Sequence, residues 1–328
     1  MFRVRSRRNC KLFDVAKAGF IAAIATIFLA LPLAGMAAGS HGQSHFDSPE
    51  QAVKVLIDAS RAGQSRELLK ILGHDGRKLV FSGDPVADKL GREKFVAAYD
   101  KANQIEPQGP ERSVLVIGEK QWPFPIPLVK LGAVWHFDTQ AGVEEILNRR
   151  IGRNELGAIQ VCRAYVDAQR DYAAQVPQSG GLLEYAQHFM SGPNKRDGLY
   201  WPAAAGEPES PMGALVASAR AEGYSAGKDS QRHHEPYHGY FYRILKRQGK
   251  HAPDGARDYL VDGRMVAGFA LIAFPARHGD SGIMSFMVNQ DGVVYQKNLG
   301  RDTESVARKM TNFNPDPSWA KAPLPAEK

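Results

Sequence analysis

Apolar and polar residues along this 328-residue chain change rhythm around one long stretch. From Gly142 to Val176 apolar side chains recur every three or four positions: Ile146, Leu147, Ile151, Ala158, Ile159, Cys162, Tyr165, Val166 and Tyr172. The stripe predicts one amphipathic helix over 142–176, with Arg149, Arg150, Arg153, Arg163, Asp167 and Arg170 largely off it. Such a helix runs roughly 50 Å, longer than one small domain needs, so it is expected to serve both halves of the chain.

Upstream, Ser48-Pro49-Glu50 marks a helix start, with Gln51 placed to close a capping box. Helices are expected over 50–62, 65–72 and 85–103, then strands over 112–117, 126–131 and 134–138. Downstream, 182–189 and 212–223 read as short helices. Strands are expected over 240–246, 259–261, 268–275, 282–289 and 293–297, with Asp291-Gly292 as a tight turn. Helices followed by antiparallel strands predict an α+β class, not the βαβ alternation of nucleotide-binding folds. Neither a GxGxxG nor a GxxxxGK[ST] run occurs to argue otherwise.

Composition corrects one impression. The pI near 9.3 invites a nucleic-acid partner, but residues 1–38 carry six basic side chains and one acid, most of the net +7. A polyanion partner therefore has little global support, and no nucleic acid is expected. Residues 1–38 also show a basic start, an apolar run from Ala18 to Leu33 and small residues at 34–38, the pattern of a signal peptide. Cleavage is expected near Ala37 or Ala38, giving a periplasmic or secreted protein with no stable membrane span; an uncleaved leader would be an anchor. Ser6-Arg7-Arg8 suggests a twin-arginine signal, though Asn9-Cys10-Lys11 departs from it. After cleavage only Cys162 remains, so no internal disulfide can form. Residues 39–47 read as a linker.

Several segments resemble known families. The Ser-Pro-Glu helix, RAGQSRELLKIL and the Gly-x-x-Trp-x-Phe-Asp strand make 48–141 similar to the cystatin-like cone of nuclear-transport-factor-like and SnoaL-like domains, which implies a curled sheet around a pocket. The run AIQVCRAYVDAQRDYAAQ followed by GYFYRIL, GFALIAFP and GIMSFMVNQDGVVYQK makes 142–320 resemble pilin-like globular domains, a long helix packed on an antiparallel meander. Gly19-Phe20 starts like a prepilin, but Ile24 stands where a Glu is needed, which speaks against a filament subunit. Over nearly the whole length, SGDPVAD, WPFPIPLV, EEILNRRIGRNEL, KRDGLYWP, GEPESP and EPYHGYFYRIL resemble a family of secreted bacterial proteins, the domain of unknown function 2950. That resemblance implies an envelope location and carries over no catalytic residue.

Candidate chemistry is sparse. His233, His234 and His238 with Glu235 are weak metal candidates, because Pro236 argues against the helix that four-residue spacing needs. Gly279-Asp280-Ser281-Gly282 imitates a protease nucleophile loop but reads as a hairpin turn. Trp122-Pro123-Phe124-Pro125-Ile126-Pro127 reads as a rigid extended plug at the mouth of the cone, or else as an aromatic shelf. Arg149, Arg150 and Arg153, with Lys195 and Arg196, are expected to line a cleft between the halves, with Tyr200 and Trp201 as its aromatic wall. Arginine forks suit carboxylates and phosphates, so the expected partner is an envelope component or a small anionic or carbohydrate ligand. The residues imply no cofactor. The leading expectation is an exported, non-enzymatic binding or scaffold protein; the alternatives are a hydrolase-like enzyme on cell-wall or carbohydrate material and a membrane-anchored assembly component.

Overall fold

Helix α1 (Pro49–Arg61) begins where Ser48-Pro49 predicts. The computed structural model describes residues 42–175, 183–203, 206–225 and 235–323. Ser48 Oγ accepts the Gln51 amide at 3.2 Å, while Gln51 Oε1 reaches one residue further back to the Asp47 amide at 2.7 Å. Helices α2 (Ser65–Leu72), α3 (Arg77–Val80) and α4 (Pro85–Lys101) follow. Asp84 caps α4 by accepting the Ala87 amide at 2.9 Å.

The first sheet comprises β1 (Asn103–Pro107), β2 (Arg112–Ile117), β3 (Trp122–Pro123), β4 (Leu128–Leu131) and β5 (Val134–Phe137). Its order is β1-β2-β4-β5, with β3 pairing the end of β2, and every pairing is antiparallel. Strand β1 is absent from the sequence reading because its residues are almost all exposed, leaving no alternation to detect. The expected strand over 126–131 is shortened to β4, since Pro127 has no N–H for a ladder. Helices α1 and α2 cover this sheet, and Leu56, Ile57, Ile71, Leu115, Ile117 and Phe137 form the first core.

Helix α5 (Thr139–Gln175) spans 37 residues, three earlier at its start than predicted. It begins hard against the first half: a Cβ on Gly142 would sit 2.2 Å from the Pro125 carbonyl oxygen. Its later turns leave that core for a second one. Ala158, Ile159, Cys162, Tyr165, Val166 and Tyr172 are all buried there. Opposite them lies a five-stranded antiparallel sheet in the order β14-β13-β12-β11-β6. Its members are β6 (Tyr240–Leu245), β11 (Ala270–Pro275), β12 (Met284–Asn289), β13 (Tyr295–Asn298) and β14 (Ala320–Lys321). Two small ribbons stand between β6 and β11. They pair β7 (Arg247–Gln248) with β8 (Arg257–Asp258), and β9 (Leu260–Val261) with β10 (Arg264–Met265). Helices α6 (Gly213–Ala221) and α7 (Thr303–Lys309) complete this half, and α7 lies against β11. The protein is α+β. Among the described residues no helix is long and apolar enough to cross a membrane; the expected leader lies outside them.

One expected helix is absent. The described part of 182–189 is irregular because tertiary partners claim its backbone. Buried Gln169 on α5 donates through Nε2 to the Ala186 carbonyl and accepts the Ala186 amide at Oε1, both at 2.8 Å. The Tyr185 amide donates to the Met265 carbonyl. The side chain of Gln169 thus stands in for a neighbouring strand. Replacing it by Leu strands both Ala186 groups away from water. Gln169→Leu is expected to cost about 2–4 kcal/mol in urea unfolding, from two buried groups left unpaired at about 1–3 kcal/mol each with partial relaxation.

A second expectation concerns pH. His136 on β5 is half-buried beside the His45 ring, 5.8 Å between centroids, and its Nδ1 is buried without a partner among the described residues. Burial, then the charge of His45, holds its pKa below the ordinary histidine value of 6.5. The unfolded chain therefore takes up this proton at a higher pH than the folded one. The stability involved is present above pH 6.5 and is lost as pH falls through the folded value. Thermal unfolding between pH 7 and pH 5 should show a shallower slope in His136→Phe than in the parent protein.

Candidate functional site

Between α4, α5 and the covering helices α1 and α2, the first core opens into a cavity of about 510 Å3. Its depth is apolar: Leu56, Leu68, Leu72 and Ile117 are almost fully buried and line it, with Phe124 beside them. The aromatic wall is packed in series, Phe95 against Phe124 at 5.2 Å and Trp122 against Phe124 at 6.0 Å. From the Trp122–Pro127 segment, Trp122 and Phe124 thus form part of the cavity wall. Trp122 Nε1 is buried and has no partner among the described residues.

The mouth is cationic. Arg149, Arg150 and Arg153 of α5 face Arg92 and Lys94 of α4, with Asp88 as the one carboxylate among the lining residues. Their duties differ. Arg150 donates to the Lys78 and Leu79 carbonyls at 2.7 and 2.8 Å, satisfying groups in short α3. Burial pulls its guanidinium below the ordinary arginine value. Asp88 accepts the Ser82 amide at 3.2 and 3.1 Å, and burial raises its pKa against that bond. Arg149 pairs with Glu145 at 2.6 Å and lies over the Trp122 ring at 5.6 Å. Arg92 and Arg153 make no hydrogen bond or ion pair with the described residues, which leaves both guanidinium forks available.

The remaining expected site residues are elsewhere. Lys195, Arg196, Tyr200 and Trp201 gather around Tyr172, near the far end of α5. Tyr172 donates to the Arg196 carbonyl at 2.9 Å and meets the Trp201 ring edge-on at 6.5 Å. Nineteen residues of helix separate Tyr172 from Arg153, roughly 28 Å, so these groups do not share a cleft with the cavity arginines. Tyr200 and Trp201 are themselves buried, Tyr200 under Arg220 and Trp201 under Arg196, and offer no open stacking face. Lys195 lies near Asp197, and Arg196 pairs with Glu207. The cavity residues Asp88, Arg92 and Phe95 were not placed at a site from sequence, where Phe95 was read as part of the inner face of its helix. They recur at i, i+4 and i+7 on α4, a polar continuation of an apolar face that gives the one available signal.

The two halves meet at Asp84, which is fully buried. Beyond capping α4, its Oδ2 accepts the Tyr224 hydroxyl at 2.9 Å and the Gly239 amide at 2.8 Å. Next to it, His238 Nε2 lies 2.5 Å from Glu222 Oε2 and its ring stacks on Tyr237 at 4.1 Å. His233 and His234 lie outside the described residues, and among the described residues no cluster of three or more metal-ligating side chains occurs. Ser281 is fully buried in the turn between β11 and β12 and bonds Arg277, so this turn presents no nucleophile. Cys162 is buried and its thiol is pushed up to about 12 by burial.

Asp84→Asn keeps the shape but turns one acceptor into a donor facing donors. The change is expected to cost about 2–4 kcal/mol in denaturant unfolding, in the range of charge-assisted bonds lost from a buried group. Tyr224→Phe takes one donor from Asp84 and the acceptor from the His238 amide but leaves the carboxylate its two amide donors, and should cost less.

No curated protein and no solved structure matches the chain. The family profile for the protein of unknown function DUF2950 matches residues 43–322, taking in the cavity, the Asp84 junction and both sheets, and the chain belongs to that family.

Proposed function

We propose that this is an exported, non-enzymatic binding protein of the cell envelope that holds an apolar molecule or chain in the cavity between α4 and α5. The observation that carries the reading is the cavity itself: about 510 Å3 of mainly apolar walls with an exposed polar rim, within the size range of small-molecule sites. Apolar walls give water few partners, so an apolar occupant is favoured over solvent. The export part of the proposal rests on the leader pattern of residues 1–38. An intact mass lacking those residues supports it, and a retained leader would make the protein membrane-anchored.

A hydrolase-like reading has one observation in its favour, the Glu222–His238 pair at 2.5 Å on a residue with φ of 50°. Such strain in a non-glycine residue is found at functional sites. The rings against that imidazole are those of Tyr224 and Tyr237, and the Tyr224 hydroxyl is committed to Asp84 and to the His238 amide, so binding is the better supported reading.

The test is uptake of the neutral fluorescent dye N-phenyl-naphthylamine. Gly91 lines the cavity from α4, and a Cβ there would meet nothing within 4 Å. Gly91→Phe should therefore fold at least as well, gaining roughly 0.5 kcal/mol of helix propensity, while obstructing the cavity. The parent protein is expected to brighten the dye and the variant to do so at least several-fold less. Equal brightening by both, or none by the parent, would sink the reading.

A further inference from the structure

We infer that the cavity's ligand is a single-chain amphiphile with an anionic head, a carboxylate or phosphate held at the arginine mouth. This rests on the binding reading above and adds the head group to it. The charge count at the mouth is lopsided: five cations against Asp88, and Asp88 is already engaged by the Ser82 amide. Arg150 is committed to two carbonyls, so it positions α3 and is not counted as a ligand group. Arg92 and Arg153 have no partner among the described residues. Arg149 holds only an exposed pair with Glu145, of a kind that contributes little and is easily exchanged.

Gathering like charges over an apolar hollow is unfavourable unless an anion sits among them, because the low-dielectric floor strengthens their repulsion. A carboxylate or phosphate removes that repulsion, and guanidinium forks match its geometry. The orphan donor Trp122 Nε1, in the wall directly under Arg149, supplies a further uncommitted group on the same side. A neutral sugar would satisfy neither the charge nor the apolar depth. An anionic head on an apolar chain satisfies both, the head at Arg92, Arg149 and Arg153 and the chain along Leu68, Phe95 and Ile117.

Competition against the bound dye decides the matter, using dodecanol, dodecanoate, dodecyl phosphate and dodecyltrimethylammonium below their micellar concentrations. Dodecanoate or dodecyl phosphate should bind about tenfold or more tighter than dodecanol, about one charge-assisted hydrogen bond. The cationic amphiphile should bind worst, and the anion preference should shrink at high salt. The better of the two anions identifies the head. In the double variant Arg92→Ala/Arg153→Ala the preference should fall at least several-fold while dodecanol binds as before. The variant changes two side chains outside the buried core, and its unfolding midpoint confirms that it is folded. Equal binding of dodecanol and both anions overturns the head-group inference and leaves the cavity reading standing. Displacement by none of the four, with the dye bound, overturns the inference; absence of dye binding overturns the reading beneath it.

Discussion

A carboxylate buried with no cation beside it among the described residues fixes the relation between the two halves of this protein. Asp84 is removed from water, and burying such a charge costs several kcal/mol unless donors replace its hydration. Three donors do so: the Ala87 amide at the positive end of α4, the Tyr224 hydroxyl after α6 and the Gly239 amide before β6. Each comes from a different element, so the carboxylate is satisfied only when all three elements are in place. Gly239 adds a steric condition, since φ of 77° and the Asn154 side chain leave no room for a Cβ. The position of α4, and with it one wall of the cavity, is therefore set by contacts in the second half.

Helix α5 supplies the other wall under a related constraint. At 37 residues it is too long for one core: partly buried Ile146 packs against the first, and the buried residues from Ala158 onward belong to the second. Leu147 and Ile151 are buried on its early turns, and the run from Ala158 to Tyr172 faces the second sheet. Between these stretches the helix passes from one body of structure to the other, and its side chains there are only partly covered. Arg153 and Asn154 occupy that transition, and Arg149 lies one turn before it. Asn154 and Glu155 use it to bind the turn between β11 and β12, through the Ser281 carbonyl and the Ile283 and Met284 amides. The arginines line the cavity together with Asn154.

Features encoded within a few residues were legible in the sequence. Ser48-Pro49 as a helix start, the Asp291-Gly292 turn and the long stripe of α5 each follow from local geometry. Arg149, Arg150 and Arg153 at the early turns of α5 were also singled out there, for a cleft between the halves, and they line the cavity. What was not legible is pairing at a distance. Nothing near Ala186 says that Gln169 will claim its amide and carbonyl and so prevent a helix. Nothing near Lys195 says that its loop packs on Tyr172 and not beside Arg153. Charge of the same type was read as proximity, whereas roughly 28 Å of helix separates the groups. The cavity was hidden for the same reason: its walls come from α4 and α5, which the sequence places far apart.

The contrast between the two cores is the strongest reason to read the cavity as functional. The second core is filled: Tyr165, Phe269, Phe286 and Phe313 are all essentially inaccessible, and Tyr165 and Phe269 meet edge to face at 5.6 Å. The first core has comparable aromatic material, yet Phe95, Phe124 and Trp122 are arrayed along a wall with space before them. Unfilled apolar volume costs stability, about 24 cal/mol for each Å3 that the structure fails to close. Gly91 sits at this wall with open space where a side chain would go, and as a mid-helix glycine it costs roughly 1 kcal/mol against alanine. Two independent costs at one place are what an occupied cavity would offset.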